Sequence, residues 1–555
     1  MADSRARERF VHPIGSDGDQ GRSTPDRREM AFAAVLLLGL LLIPLLLPQL
    51  RVLLMKPLWL DELHTWLLAR AQPGQQLVDR LAGGADFNPP LLFAIDWAML
   101  RLFGGLPAQV VLRLTSIFAI WAALLLLYRM ARERLGVLPS AVGATAVLAH
   151  SILLGQVHEA RFYAPWFALT VALALAMQSV VEHRGSWWRL LTLALLTAAT
   201  CLIHYFGIIS VACLALGFAL KVRSPSRIWP VAAAIGVGAL SLVAWLPVYE
   251  AQRHVLTVPT WIAAPTLRSS VVFVLLFLAW VPYVLVLGAA AYRLWRTTGR
   301  TLPSPTIAQS ATIGLVALPL ILVPFSYLVQ PTLIGRYALP AVAGMCCLVA
   351  LATSVLPRRM QTIALVGMVA TYSALLGWKT VAADKLTAQA RGAIAGVNAV
   401  ARDPRPVLSL DRNVLYMTAL SKANHNPRLA YLVMPVDTIY EYLKSRHNKT
   451  LNDITIIEQD VALAHHRTLG FPAVLTLGAM RLTDSFFLLI GDDTRGSALP
   501  AVFSGFRSCR VNARVLLFES SPGTPTDGTS IRRSPQCPSG SVGEYAGGEV
   551  SESPH

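Results

Sequence analysis

The sequence predicts an all-α polytopic membrane domain of about eleven transmembrane helices, followed by a C-terminal extracytoplasmic α/β domain. Of the 555 residues, 54% are hydrophobic and only 14% are charged, whereas a soluble globular chain carries about 25% charged residues. Apolar stretches repeatedly reach the roughly 20 residues that cross a hydrocarbon core. From residue 380 onward they give way to short strand-like runs.

Residues 1–29 are polar, mixed in charge and expected to be disordered in the cytoplasm. They are not a cleavable signal, because Arg27 and Arg28 adjoin an apolar run that is too long for a signal peptide. The predicted membrane domain covers 30–379, with a first outer loop at 51–108. Its eleven apolar runs lie near 31–50, 109–129, 137–155, 163–181, 188–204, 206–222, 228–248, 268–293, 307–329, 338–356 and 361–379.

The loop charges set the expected orientation. A shorter run, 89–104, contains Asp96 and Arg101; if it does not cross, five loops face the cytoplasm and hold thirteen Lys and Arg against two acids. The outer loops then hold three basic residues. The positive-inside rule therefore favours eleven spans, a cytoplasmic N-terminus and an extracytoplasmic C-terminus, with 89–104 packed on the outer membrane surface.

Residues 380–520 alternate strand-like and helix-like patterns, which predicts a small α/β domain. Residues 521–555 are rich in Ser, Pro and Gly and are expected to be disordered. Cys509 and Cys537 can form a disulfide if this part is extracytoplasmic, and His465 and His466 are expected to be exposed. The expected strands are Val407–Leu410, Leu429–Val433, Phe486–Ile490 and Val515–Phe518, and the expected helices are 385–402 and 436–446.

The net charge of +17 raises the question of nucleic-acid binding. The basic clusters are far apart and lack interleaved aromatic residues, so no nucleic-acid partner is expected. Membrane topology explains the surplus instead.

The unusual polar residues collect at the outer ends of the predicted spans. Apart from His150, no span carries an ionisable residue near its middle, where transporters usually place such groups. This pattern favours an enzyme at the outer interface. The residues are Asp61, Glu62, His64 and Asn88-Pro89-Pro90 in the first outer loop, His158 to Tyr163 in the second, His204 to Gly207 in the third, and Gly335-Arg336-Tyr337 in a late loop.

Five motifs in this order resemble the GT-C glycosyltransferases, and the protein O-mannosyltransferase and aminoarabinose-transferase branch in particular. The match covers roughly residues 30–345. The motifs are the acidic pair Asp61-Glu62, Pro-Pro-Leu at 89–91, Glu-Ala-Arg-Phe-Tyr at 159–163, His-Tyr-Phe-Gly at 204–207 and Arg-Tyr-Ala-Leu-Pro at 336–340.

The resemblance implies transfer of a glycosyl group from a polyprenyl-phosphate-linked sugar to a lipid, glycan or protein acceptor, usually with inversion. Such a displacement needs a carboxylate that accepts the acceptor's proton, and Asp61 is the first candidate. It also needs cations at the departing phosphate, for which Arg161 and Arg336 are suited because guanidinium binds phosphate in bidentate fashion.

The remaining candidate residues have supporting roles. Glu62 and Glu159 are expected to orient the acceptor, or to bind a divalent Mg or Mn ion with Asp61; no cofactor is certain. His204, Tyr205, Tyr163 and Tyr337 are candidate substrate contacts. Relatives often have His or Lys where this chain has Asn88, which can hydrogen-bond a phosphate or sugar but supplies no charge.

Other interpretations stay open at this point. Asp61-Glu62 can be an acidic helix start favoured by the helix dipole, and Glu159 and Arg161 can be an exposed ion pair of little energetic value. At the level of function, a lipid or polysaccharide transporter and a non-catalytic membrane assembly factor are the alternatives. The expected compartment is the bacterial inner membrane.

Overall fold

The computed structural model is largely helical, with one small sheet near the C-terminus. Its helices are α1 to α19 in chain order, interrupted by two 3₁₀ turns, Leu315–Ala317 and Gly335–Ala338. It describes residues 39, 47, 51–183, 186–255, 262–297, 301–409, 412–421, 424–433, 449–469, 472–476, 485–489, 506–512, 515–520 and 537.

The first part of the chain, up to residue 222, supplies ten described helices. They are α1 (Val52–Met55), α2 (Leu60–Ala69), α3 (Gln75–Ala82), α4 (Leu91–Leu102), α5 (Ala108–Leu135), α6 (Val137–Leu148), α7 (Ser151–Val157), α8 (Tyr163–Glu182), α9 (Trp187–Ile203) and α10 (Gly207–Val222). Later helices are α11 (Pro225–Arg253), α12 (Leu267–Leu278), α13 (Val281–Arg296), α14 (Ile307–Gly314), α15 (Leu318–Leu328), α16 (Ala341–Ser354), α17 (Arg358–Asn398), α18 (Arg412–Ala419) and α19 (Lys449–Leu469).

Five helices of the described chain are long and apolar enough to cross a membrane, or seven if each of two bent pairs counts as one span. The expected number was eleven. Three of the expected runs form apolar helices of 17, 16 and 14 residues (α9, α10 and α16), and the run 31–50 lies almost entirely outside the described residues. The short run 89–104 forms the 12-residue helix α4, too short to span.

The run 137–155 is a helix broken by 73° between α6 and α7. His150 lies at this break, where a helical turn leaves backbone carbonyls without helical partners. The indole nitrogen of Trp280 donates to the Ala149 carbonyl at 2.8 Å, and the His150 ring nitrogen Nε2 lies 3.2 Å from the Leu276 carbonyl oxygen. His150 therefore stabilises a bend and is not a lone charge in a continuous span.

The last apolar run continues without a break into the expected helix 385–402, and together they form the 41-residue helix α17. The sequence analysis treated them as two elements. Residues 379–385 contain no Gly or Pro that would end a helix. One rigid rod therefore connects the membrane part to the α/β part.

The C-terminal sheet has six strands in the order β3-β2-β1-β4-β6-β5. The three pairings among β1 to β4 are parallel, and β6 pairs antiparallel with both β4 and β5. The four expected strands are confirmed, and two were missed: β3 and β5. The expected helix 436–446 lies outside the described residues. The strands are β1 (Val407–Ser409), β2 (Leu429–Val433), β3 (Ala473–Thr476), β4 (Ser485–Leu489), β5 (Phe506–Arg510) and β6 (Val515–Ser520).

Helices α10 and α14 approach each other closely at two glycines. A Cβ atom at Gly314 would lie 2.2 Å from the Cys213 carbonyl oxygen, and one at Gly217 would lie 2.3 Å from the Ser310 carbonyl oxygen. Both obstacles are backbone atoms, which cannot move aside. Small residues of this kind let helix backbones pack closely in membranes.

We expect Gly314→Ala to lower the thermal unfolding midpoint in detergent, because the added methyl group forces the two helices apart. Overpacking of this kind costs about 1–3 kcal/mol. Gly288→Ala is the matched control, since nothing lies within 4 Å of a Cβ there and Ala is the better helix former. Equal midpoints for the two variants would contradict the close contact.

Candidate functional site

Glu62 and Arg113 form a fully buried ion pair. Arg113 donates from Nε to Oε1 of Glu62 at 2.9 Å and from Nη2 to Oε2 at 2.6 Å. Its remaining hydrogens reach the carbonyl oxygens of Leu54, Lys56 and Pro57 at 2.6–3.1 Å. Every donor of this guanidinium therefore has an acceptor.

The Glu62 carboxylate also connects the start of α2 to the segment at Ala160. It accepts from the backbone N–H of Ala160 at 2.9 Å and from that of Trp59 at 3.3 Å. Burial alone would raise the pKa of this carboxyl, but the charges of Arg113 and Lys56 and the hydrogen bonds hold it below the usual value. A charged, saturated carboxylate has no capacity left for a substrate proton.

Asp61 is the neighbouring carboxylate and has a different environment. Its Oδ2 atom lies 3.3 Å from Nη1 of Arg336, and the two side chains are 21% and 20% exposed. Arg336 comes from the 3₁₀ turn Gly335–Ala338, which also places its guanidinium 5.5 Å from the ring centroid of Tyr163. The partly open carboxylate is able to meet a substrate and a cation at once.

Arg161 lies behind Asp61 and connects three pieces of chain. Its Nη1 donates to the Asp61 carbonyl at 3.0 Å, to Thr65 Oγ1 at 3.2 Å and to Asp86 Oδ2 at 3.1 Å. Burial would lower the pKa of this guanidinium, but Asp86 and Asp61 raise it above its ordinary value. Nε of Arg161 and Nε of Arg336 are both buried without a hydrogen-bond partner among the described residues.

Asn88 binds the carboxylate of Asp86. Its amide nitrogen donates to Asp86 Oδ1 at 2.5 Å, so it orients the carboxylate that binds Arg161. Asp86 is 3% exposed. The structure therefore brings Asn88 to the Asp86 carboxylate, and its role as a substrate contact stays a prediction.

An aromatic wall covers one side of the site. The His204 ring stacks on Trp166 with centroids 4.6 Å apart and lies 5.9 Å from Tyr163 and 5.7 Å from Tyr337. Its Nδ1 accepts from the Phe206 N–H at 3.0 Å, which puts the ring hydrogen on Nε2. Burial, with Arg161 and Arg336 nearby, lowers the pKa of His204 to about 3, so this histidine is a neutral donor.

Tyr205 belongs to a separate hydrogen-bond chain. Its hydroxyl donates to Gln252 Oε1 at 2.6 Å and accepts from the Trp245 indole at 3.1 Å. The Gln252 amide in turn donates to the Asp86 carbonyl at 3.1 Å. Tyr205 thus supports the Asp86 backbone, and its hydroxyl has both a donor and an acceptor already.

Glu159 faces two lysines that the sequence analysis missed. Burial raises the pKa of this carboxyl, while Lys56, Lys379 and Arg336 partly oppose the rise. Lys379 comes from α17 and reaches α7, where a Cβ at Gly155 would lie 3.2 Å from its Nζ. Among the described residues, Glu159, Lys56 and Lys379 form no ion pair within 4 Å, so the two lysines give the site a second cationic side.

The carboxylates present do not fit a resident divalent cation. Asp61 is bound to Arg336 and to Arg161, and the charges of Lys56 and Lys379 act on Glu159, so a dication here would meet nearby cations. In the part of the chain that the structure describes, no three His, Cys, Asp or Glu side chains gather as metal ligands.

The sequence patterns make no prediction for Arg113, Asp86, Lys56 and Lys379. The prediction that His465 is exposed was wrong. His465 is fully buried, whereas His466 is exposed. A signal was available for Arg113, since an arginine six residues into a membrane helix needs a buried partner. For Asp86 and His465 no local pattern predicts the contact with the site, because Arg161 lies 75 residues from Asp86 and Ala85 lies 380 residues from His465.

We expect Glu62→Gln to destabilise the protein by about 3–5 kcal/mol, because it leaves the buried Arg113 charge without its counter-ion. Thermal unfolding in detergent measures the loss. Glu250→Gln is the control, since Glu250 pairs with Arg253 only on an exposed helix face, at 3.9 Å, where such pairs contribute about 0–1 kcal/mol. A Glu62→Gln variant as stable as the control would show that the pair contributes little to the fold.

Comparison with protein-family profiles gives no match, and neither does comparison with curated proteins. Solved structures do match. ArnT from Cupriavidus metallidurans bound to undecaprenyl phosphate superposes with a TM-score of 0.56 at 14% identity, covering 89% of this chain and 98% of that one.

The apo structure of the same ArnT has a TM-score of 0.56 at 14% identity, covering 88% of this chain and 97% of that one. Arabinosyltransferase EmbB from Mycobacterium smegmatis has a TM-score of 0.39 at 15% identity, covering 82% of this chain and 42% of that one. The ArnT superposition confirms, at the level of the fold, the resemblance expected from the sequence: this chain shares the ArnT fold over most of its length. It is an integral membrane protein with a small sheet near its C-terminus.

Proposed function

We propose that the protein transfers a glycosyl group from a polyprenyl-phosphate-linked sugar to an acceptor at the outer face of the membrane. The observation that carries this proposal is the Asp61 carboxylate, half-buried and 3.3 Å from Arg336, with Arg161 directly behind it. A base and two cations at one point are what displacement of a sugar from a phosphate needs. The ArnT structure with undecaprenyl phosphate supports the choice of donor class.

Asp61 acts as the general base. As the acceptor hydroxyl or amine attacks the anomeric carbon, its proton passes to the Asp61 carboxylate and the bond from that carbon to the phosphate oxygen breaks. Attack opposite the leaving phosphate inverts the anomeric centre. Arg336 binds only Oδ2 of Asp61, which leaves Oδ1 for the acceptor.

Arg336 and Arg161 stabilise the departing phosphate. Charge grows on that group as the bond breaks, and fixed cations in a site that excludes water stabilise it most strongly. Their buried Nε–H groups have no acceptor among the described residues, and an unsatisfied buried donor usually has a ligand or water in the working protein. Tyr163, Tyr337 and His204 complete the wall against which the sugar ring lies.

Glu159 and the lysines occupy the other side of the site. Lys56 and Lys379 provide positive charge next to a carboxylate whose pKa is raised, so Glu159 is suited to hydrogen-bond an acceptor hydroxyl or amine in either protonation state. Glu62, by contrast, has a structural role in this proposal. It holds the helix that carries Asp61.

The disulfide between Cys509 and Cys537 supports an extracytoplasmic α/β domain. Their Cα atoms are 4.8 Å apart, and such bonds persist in oxidising compartments. Together with the loop charges, this favours the bacterial inner membrane, with a cytoplasmic N-terminus and the site facing outward.

We expect Asp61→Asn to reduce the release of free polyprenyl phosphate by about 10²–10⁴-fold, the usual contribution of a general base. The assay uses purified protein in nanodiscs, a panel of polyprenyl-phosphate sugars and membrane extract as the acceptor source. Asp79→Asn is the matched control, because Asp79 is an exposed carboxylate in the same outer loop.

Two outcomes would contradict the proposal in different ways. Wild-type turnover in Asp61→Asn would remove the base assignment while leaving a transferase. Release from no donor by the wild-type protein would favour a transporter, or an assembly factor that binds a lipid-linked sugar without transferring it.

A further inference from the structure

We infer that His465, in the α/β domain, is a positioning residue for the membrane site: it clamps the Ala85-Asp86 segment that orients Arg161. This role rests on the proposed function, because Arg161 matters only if it serves the reaction. It gives the α/β domain a defined task in catalysis. His465 itself does not touch the reacting groups.

The hydrogen bonds of His465 determine its tautomer. Its Nε2 lies 2.6 Å from the Ala85 carbonyl oxygen, which can only accept, so Nε2 carries the hydrogen. In the neutral ring Nδ1 is then an acceptor, and the Tyr416 hydroxyl lies 2.8 Å from it. His465 of α19 and Tyr416 of α18 are both fully buried. The hydrogen bond between them therefore fixes the orientation of the His465 ring toward Ala85.

The loop is shaped to receive α19. A Cβ at Gly83 would lie 2.6 Å from the Thr468 methyl group, one turn along the helix from His465. Gly84 has a φ of +82°, which favours glycine. A Cβ atom there would also lie 2.6 Å from Cγ1 of Val255. The two glycines turn the chain so that the Ala85 carbonyl points at His465.

Asp86 connects this segment to the site through its hydrogen bond with Arg161. Its Oδ2 binds Nη1 of Arg161 at 3.1 Å, and the same Nη1 binds the Asp61 carbonyl at 3.0 Å. The His64 ring packs edge-on against His465 at 4.6 Å and lies 4.0 Å from Asp86 Oδ2. A continuous set of contacts therefore runs from His465 to the backbone of the proposed base.

Two substitutions at His465 separate the contact from the bulk of the ring. In His465→Gln the side-chain amide can reproduce the Nε2–H donor to Ala85. In His465→Asn the shorter amide can meet Tyr416 but cannot reach the loop. Tyr416→Phe removes the other hydrogen bond and leaves the Ala85 contact.

We expect His465→Asn to lower kcat for polyprenyl-phosphate release by about 10- to 100-fold, since a displacement near 1 Å costs that much, with little change in KM for the donor. His465→Gln should retain most of the activity. Combined with Arg161→Lys, the Asn substitution should add less than its separate effect, because residues that act through one contact are not additive. The assay uses whichever donor the wild-type protein turns over.

Hydrogen exchange at the backbone amides of residues 83–88 gives a readout that needs no turnover. We expect faster exchange there in His465→Asn than in wild type or His465→Gln. Wild-type kcat and unchanged exchange in His465→Asn would overturn the positioning role. Faster exchange in His465→Asn with no turnover by any protein, wild type included, would leave the clamp standing and reject the proposed function instead.

Discussion

The buried ion pair between Glu62 and Arg113 is the constraint on which the candidate site depends. It ties the start of α2 to α5, to the carbonyls at the end of α1 and to the backbone of Ala160 between α7 and α8. A pair so deeply buried is costly to desolvate, and it is tolerated because every hydrogen and lone pair is used. These contacts with α5, with the end of α1 and with Ala160 fix the position of the backbone next to Asp61.

The acidic pair thereby divides into two roles. Glu62 points inward and is saturated, whereas Asp61, about a third of a helical turn away, points toward the partly open site and shares a single contact with Arg336. Arg161 lies between Asp61 and Asp86 and makes their positions interdependent. Two residues that are adjacent in sequence thus differ in burial and contacts because the helix turns one of them away from the core.

Much of the fold was predictable because hydrophobic runs and loop charges are local signals. The four expected strands and the short helix at 91–102 follow from such patterns. The break at His150 was missed because it depends on contacts with Trp280 and Leu276, which come from distant segments. The unbroken helix through residue 380 was missed because the composition changes there although no stop signal ends the helix.

The site was predictable only in part for the same reason. Asp61, Arg161 and Arg336 were found from residue type and predicted topology, and the structure brings them together. The partners Arg113 and Asp86 and the clamp at His465 depend on contacts between distant segments. His465 shows the limit most clearly: in sequence it is one of two adjacent polar residues on a helix, and only the packing of α19 on the first outer loop distinguishes it from exposed His466.

A structure of the Asp61→Asn variant in nanodiscs, with an intact polyprenyl-phosphate sugar bound, tests the central claim most directly. The account predicts the donor phosphate within about 3 Å of the Arg336 guanidinium, a normal hydrogen-bond distance, and the anomeric carbon facing position 61. A donor head group bound away from Arg336 and position 61, for instance against an intracellular loop, would contradict the account.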